Sequence, residues 1–214
     1  MKITWVGHAC FLIHAKDARA LTDPFAEELP YTFPETPVDL VTVSPTAIST
    51  TTPFIVCRAT TRRSRPPAPL TFSACACAGI PSFHDACGGN ERGPNTLYAM
   101  SLEGIGIAHL GDPGTPLDGG QREALSDVEI LLTPVGGNFT INAAQAAEVA
   151  RCLPSVRIVI PMHFKTDRIA DWPIAPVEEF ASLMDNVRQI GASTIEITRA
   201  SMPERREVWI LDYA

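Results

Sequence analysis

Val38-Asp39-Leu40-Val41-Thr42-Val43-Ser44 reads as a strand apolar enough to lie inside a sheet, and it runs straight into Pro45-Thr46-Ala47-Ile48-Ser49-Thr50-Thr51-Thr52, which carries neither imidazole nor carboxylate. From Pro45 to Ala78 the chain is a string of Thr, Arg, Pro, Ala and Cys without a convincing apolar period, and ordinary alternation returns at Ile80. The stretch 45–78 is therefore expected to be irregular, at the expense of a strand and a helix.

On the N-terminal side, Ile3-Thr4-Trp5-Val6, Phe11-Leu12-Ile13 and Ala20-Leu21-Thr22 are short β-branched and aromatic runs separated by turn residues. They predict successive antiparallel strands. On the C-terminal side, Thr96 to Leu102 and Gly104 to Leu110 predict a hairpin about Glu103-Gly104. A buried strand follows over Val128 to Val135, then an Ala-rich helix from Asn142 to Leu153 and a strand from Val156 to Ile160. A second helix is expected from Pro176, suited to a first turn, to Ile190, with Gly191 as its stop. Ser193 to Thr198 and Glu207 to Leu211 close the chain as strands. Strands and helices in both halves, with no linker outside 45–78, predict one α/β domain over 1–214, two sheets between helix layers.

Composition narrows the function. A chain of 214 residues with 45% apolar and 19% charged residues is ordinary for a globular protein with a sizeable core. The formal charge of -7 disfavours a phosphate-backbone binder, because such proteins draw affinity from clustered Lys and Arg. The only basic cluster, Arg58 to Arg65, lies inside the odd stretch. The N-terminus meets His8 before any long apolar run and no segment approaches the roughly 18 apolar residues of a membrane span, so a cytoplasmic location without a membrane partner is expected. Six cysteines, Cys10, Cys57, Cys75, Cys77, Cys87 and Cys152, offer no zinc-knuckle spacing, and a chain of this size needs no disulfide framework.

The polar landmarks stand where strands end: His84 after Ile80-Pro81-Ser82-Phe83, Asp112 after Ile107 to Gly111, and His163 after Ile158 to Met162. Strand ends on one sheet edge converge, and imidazole with carboxylate suits zinc, manganese or iron. Each landmark alone is weak, since a Gly-Asp pair is more often a turn. His109, inside an apolar strand, reads as a packed or supporting residue, and His14 as an exposed strand end. Asp23-Pro24 is equally a turn cap or a site group. Gly7 lets the backbone beside His8 pass close to something, although a turn explains it as well.

Together, Gly7-His8-Ala9-Cys10-Phe11-Leu12-Ile13, Thr22-Asp23-Pro24, Ile80 to Asp85, Gly88-Gly89 with Gly93-Pro94-Asn95-Thr96, His109-Leu110-Gly111-Asp112, Pro134-Val135-Gly136-Gly137 and Ile160 to Thr166 resemble the metallo-β-lactamase superfamily. The closest likeness is to its small metal-dependent hydrolases, the L-ascorbate-6-phosphate lactonases and phospholipase-D-type phosphodiesterases. The resemblance implies a four-layer αββα sandwich and a site for up to two divalent ions, zinc above manganese or iron, that activate water against a small ester, lactone or phosphodiester. It implies metal-ligand roles for His84, Asp112 and His163, and supporting or substrate-facing roles for His8, Asp23 and Asp85. A small-molecule substrate follows, and a homo-oligomer is reasonable.

The superfamily's His-x-His-x-Asp-His signature normally follows the strand that ends here at Ser44, and it is absent. Regrouping each codon from Pro45 to begin at its third base permits His-Ser-His-Phe-Asp-His-Asn directly after Ser44. The same regrouping turns Ala74-Cys75-Ala76-Cys77-Ala78 into a permitted Val-Arg-Val-Arg-Gly. Two compensating frame changes, near Ser44 and near Gly79, account for both. A chain without those four ligands is expected to bind metal weakly and hydrolyse little, and the alternative is a non-catalytic protein of the same fold.

Overall fold

A computed structural model describes residues 1–25, 29–32, 36–44, 56–57, 70–72 and 75–214, with backbone alone for 56–57, 70–72 and Cys75. Two sheets organise the chain. In the first, β1 (Lys2–Gly7), β2 (Cys10–His14) and β3 (Arg19–Thr22) pair antiparallel, as the three β-branched runs predict. Strand β4 (Leu40–Thr42) joins β3 in parallel, β5 (Val56–Cys57) joins β4, and β13 (Thr194–Glu196) closes the other edge on β1.

The second sheet has β6 (Leu70–Phe72), β7 (Cys75–Phe83), β8 (Pro94–Leu102) and β9 (Ile105–His109) as an antiparallel meander, with the β8–β9 hairpin turning at Glu103-Gly104. It continues in parallel through β10 (Ile130–Pro134), β11 (Ile158–Met162), β14 (Glu207–Ile210) and β12 (Val187–Gln189). Every residue of β10 and β11 is buried, the continuous apolar pattern of parallel strands covered on both faces.

Three α-helices are present among the described residues. In α2 (Ala143–Cys152) the Asn142 side chain accepts from the Gln145 N–H while Gln145 returns the bond, and Ala143, Ala146, Ala147 and Ala150 form its buried stripe. Helix α1 (Gly119–Ala124) buries no residue and escapes any apolar-period search; the Asp118–Gln121 capping box holds it, and Gln121 Nε2 donates to the Pro81 carbonyl. One apolar cluster takes in Trp5, Phe11 and Ile13 from the first sheet and Tyr98, Ile107 and Leu132 from the second.

Two expectations are corrected. The helix expected over Pro176 to Ile190 is only α3 (Val177–Ala181): Asn186 adopts φ 55°, and the chain turns into β12, whose Val187 to Gln189 pair with Val208 to Ile210. Edge pairing to a buried parallel strand outweighs helix propensity there. The stretch 45–78 is not irregular throughout, because β5, β6 and the start of β7 fall within it. The remainder of that expectation, with Arg58 to Arg65 and the signature position after Ser44, lies outside the described residues.

Candidate functional site

Six strand ends meet at one edge. β1 delivers His8, β3 Asp23, β4 Ser44, β7 His84, β9 Asp112 and β11 His163. Three of them, His8 (φ 52°), Asp23 (φ 36°) and His163 (φ 51°), hold a left-handed backbone unusual outside glycine. Such strain concentrates at functional sites. Gly7, at φ 130°, has the Tyr31 ring within 2.4 Å of where a Cβ would stand, so close approach rather than a turn alone demands glycine.

The imidazole of His163 is buried and stacks on His8 with centroids 4.0 Å apart, and its Nε2 lies 3.8 Å from Asp112 Oδ1. The His163 N–H donates to the His8 carbonyl, which ties β11 to β1 at the cluster. Among the described residues, buried polar atoms remain without hydrogen-bond partners: Nδ1 of His8, both ring nitrogens of His84, Nδ1 of His163 and Oδ1 of Asp112. Native interiors leave few such atoms unsatisfied, so five at one edge mark a place built to hold something.

Burial sets the protonation. It lowers His163 to about 4 and lowers His8, to which His163 adds, while at His84 the Asp112 charge opposes the same effect. Burial, then the charge of Asp23, raises Asp112 to about 6, against the pull of His84 and His109. Near neutral pH the imidazoles are uncharged with lone pairs free and most of Asp112 is ionised, the state in which these groups bind cations.

The other expected residues divide. Asp23 is committed to Ser44, accepting from its N–H at 2.8 Å and its hydroxyl at 2.7 Å, and so clamps β3 to β4. His109 is fully buried; the Gly111 N–H donates to Nδ1, which leaves Nε2 to donate to the Ala9 carbonyl at 2.8 Å. These two bonds give it a supporting role, as its place in an apolar strand predicts. His14 is exposed.

Asp85 does not face the cluster. Its two carboxylate oxygens accept four backbone N–H groups, from Cys87, Gly89, Glu91 and Arg92, and these bonds hold its pKa well below the usual carboxylate range. It shapes the loop after His84. A depressed value means the carboxylate stabilises the fold above the ordinary Asp range and loses that contribution as pH falls through the folded value. Asp85→Ala is expected to lower Tm by several degrees at pH 7 and to speed tryptic cleavage at Arg92. An unchanged cleavage rate would show that the loop holds its shape without the carboxylate.

Asn95 is the residue that strand-end reasoning passes over. Buried at the start of β8, it donates through Nδ2 to the Leu110 carbonyl and accepts from the Asp112 N–H at 2.9 Å, positioning Asp112 from the neighbouring strand. Beyond its place in the Gly93-Pro94-Asn95-Thr96 piece of the resemblance, its signal is a polar residue at an inward strand position. Trp172 and Phe139 pack at 6.0 Å beside His8 and form an aromatic wall.

The pKa shifts predict a pH dependence. Between about pH 6.5 and 4 the unfolded chain protonates His163 while the folded chain does not, so stability falls as pH falls. Asp112 acts with opposite sign, since the folded state binds its proton first. The two shifts are similar in size, and the lowered His8 and His84 tip the balance. The urea midpoint in EDTA is expected to drop from pH 7 to pH 5, and His163→Gln to lessen that drop. An equal drop in the variant would remove His163 from the explanation.

Residues 2–163 match the family described as Beta-lactamase superfamily domain. A Thermotoga maritima crystal structure, of a protein assigned as a Zn-dependent hydrolase of the metallo-β-lactamase superfamily, superposes with a TM-score of 0.79 at 31% identity, covering 100% of this chain and 99% of that one. The chain belongs to the metallo-β-lactamase superfamily. A UPF0173 metal-dependent hydrolase of Carboxydothermus hydrogenoformans is 28% identical over 90% of this chain and 95% of its own. A second, from Pyrobaculum aerophilum, is 28% identical over 78% of this chain and 85% of its own.

The fold implies divalent metal, and the unpartnered nitrogens and Asp112 oxygen have the right chemistry for it. Yet among the described residues no three His, Cys, Asp or Glu side chains lie close enough together to hold an ion. The sequence from Pro45 to Phe83 offers no His, Asp or Glu to complete the set. A catalytic zinc takes three protein ligands. These residues do not fit a two-ion centre.

Proposed function

We propose that this chain is a metal-dependent hydrolase by descent, of the L-ascorbate-6-phosphate lactonase-like branch, whose centre is cut in half by a shifted reading frame over 45–78. The observation that carries the reading is the half that remains: His84, Asp112 and His163, with His8 beside them, present unpartnered atoms at one sheet edge where nothing among the described residues completes a site. The permitted His-Ser-His-Phe-Asp-His-Asn would enter directly after Ser44, whose side chain and N–H are bonded to Asp23 at that same edge. In the unshifted chain, His84, Asp112 and His163 hold divalent metal, zinc first, and the substrate is a small ester, lactone or phosphodiester. The acidic balance speaks against nucleic acid as that substrate.

No helix among the described residues is long and apolar enough to cross a membrane. One domain over 1–214, a cytoplasmic location and a homo-oligomer complete the proposal. Its competitor is a non-catalytic protein of the same fold, favoured by the missing carboxylate and imidazoles. Sequencing codons 40–85 from independent source DNA separates the two. Return of the His and Asp codons in frame is expected; codons that stand as given would make the loss of the centre real and the non-catalytic reading the better one.

A further inference from the structure

Three loops leave the sheet edge that carries the clustered imidazoles. The loop after β7 brings Arg92, the one after β10 brings Phe139, and the one after β11 brings Trp172. Their side chains continue the buried ring of His163 outward in one file. His163 stacks on His8 at 4.0 Å, His8 meets Trp172 at 5.7 Å, Trp172 meets Phe139 at 6.0 Å, and the guanidinium of Arg92 stands over Phe139 at 5.6 Å. Phe139 and Trp172 are half-buried and Arg92 is exposed, so the file ends in solvent on a cation.

The backbone fixes where that cation starts. The Arg92 N–H donates to Asp85 Oδ2 at 2.8 Å and the His84 N–H to the Gly93 carbonyl at 3.0 Å, which fastens the loop beside His84. Burial lowers the pKa of His84 first, Asp112 opposes it, and His163 and Arg92 lower it further, which puts the guanidinium within electrostatic reach of that ring. Among the described residues nothing neutralises it: Arg92 forms no ion pair, and both oxygens of Asp85 are taken by backbone N–H groups. A guanidinium held over a ring by cation–π attraction keeps its N–H fork for the two oxygens of a carboxylate or phosphate.

We infer that Arg92 is a specificity-determining residue, whose guanidinium binds an oxyanion, carboxylate or phosphate, on a small ligand whose apolar body lies along Phe139 and Trp172. Calling that ligand the substrate rests on the function proposed above, whereas the binding itself does not. Of the esters, lactones and phosphodiesters named there, such a mouth favours those with a further anionic group away from the bond that is cut. The apolar wall and the cation divide the work: the rings hold the body at low cost in ordering, and the fork orients it by charge-assisted bonds.

The experiment is ligand-observed NMR on this chain, stripped of metal with EDTA, desalted and held at pH 8, where the lowered imidazoles are uncharged. The probes are phenyl phosphate, benzoate and neutral benzyl alcohol. Both anions are expected to bind at least about tenfold more tightly than the alcohol, the order of one hydrogen-bonded charge. Arg92→Gln should bring them to the alcohol's level with Tm unchanged, and Arg92→Lys should recover only part of the difference, since an ammonium lacks the fork. A preference for phenyl phosphate assigns a phosphate ligand, and one for benzoate a carboxylate. Anions that bind no better than the alcohol, or whose binding survives Arg92→Gln, overturn the assignment. The function reading is judged by codons 40–85 and fails separately: restored His codons without Arg92-dependent binding would leave the hydrolase standing and remove the anion site. Arg92-dependent binding with codons unchanged would leave the anion site on a non-catalytic protein.

Discussion

Purified from this sequence and desalted, the protein is expected to carry well under one equivalent of zinc, manganese or iron, while a chain with residues 45–78 replaced by the regrouped reading should carry about two. The difference follows from ligand number. The present chain offers His84, Asp112 and His163 from separate strands, with His163 Nε2 3.8 Å from Asp112 Oδ1 and, among the described residues, no three donors gathered on one point. Four donors from one short segment after Ser44 would add two imidazoles, a carboxylate and a third imidazole where β4 ends. In the replaced chain His84→Ala and His163→Ala should each cost about one equivalent, and Asp112→Ala should weaken both. Elemental analysis after dialysis reads all of this without a substrate. Tight uptake of two ions by the present chain would sink the account, because the ligands it invokes as missing would then be unnecessary.

The same edge shows what could be read from sequence. His84, Asp112 and His163 were legible because each follows an apolar run, and strand ends gather whatever the intervening fold. Asp85 was not legible: a carboxylate beside a candidate ligand looks the same on paper whether it faces a site or accepts four backbone N–H groups from its own loop. Asn95 was hidden because its two bonds, to Leu110 and Asp112, cross between strands 15 and 17 residues apart.

Fold legibility divides on the same physical line. The β8–β9 hairpin and α2 are specified locally, by a turn and by a capped apolar stripe, and both stand as read. The C-terminal segment after α3 is decided by a long-range partner, β14, which captures Val187 to Gln189 as a strand. Helix α1 depends on a capping box without a buried face, so periodicity has nothing to find.

Trp5→Ala is expected to be the most damaging single substitution in the first sheet, costing about 3–5 kcal/mol. Trp5 is 2% exposed, and its ring packs on Phe164 at 4.9 Å and edge-on to Tyr213 at 6.4 Å. Its backbone accepts from the Ala214 N–H and donates to Ser193, joining β1 to the chain's end. Its indole Nε1 donates to the His8 carbonyl at 3.0 Å, the same carbonyl that accepts from the His163 N–H. Truncation therefore empties a large core volume and loosens the backbone that places two of the clustered imidazoles. Trp5→Phe keeps most of the ring and loses only the indole bond, for which about 1 kcal/mol is the ordinary net worth. Against a total stability of about 5–15 kcal/mol, the first change takes a large share and the second a small one. Urea unfolding followed by circular dichroism measures both. Equal midpoints for the two variants would mean that the indole bond to His8, not the packing against Phe164, is what Trp5 contributes.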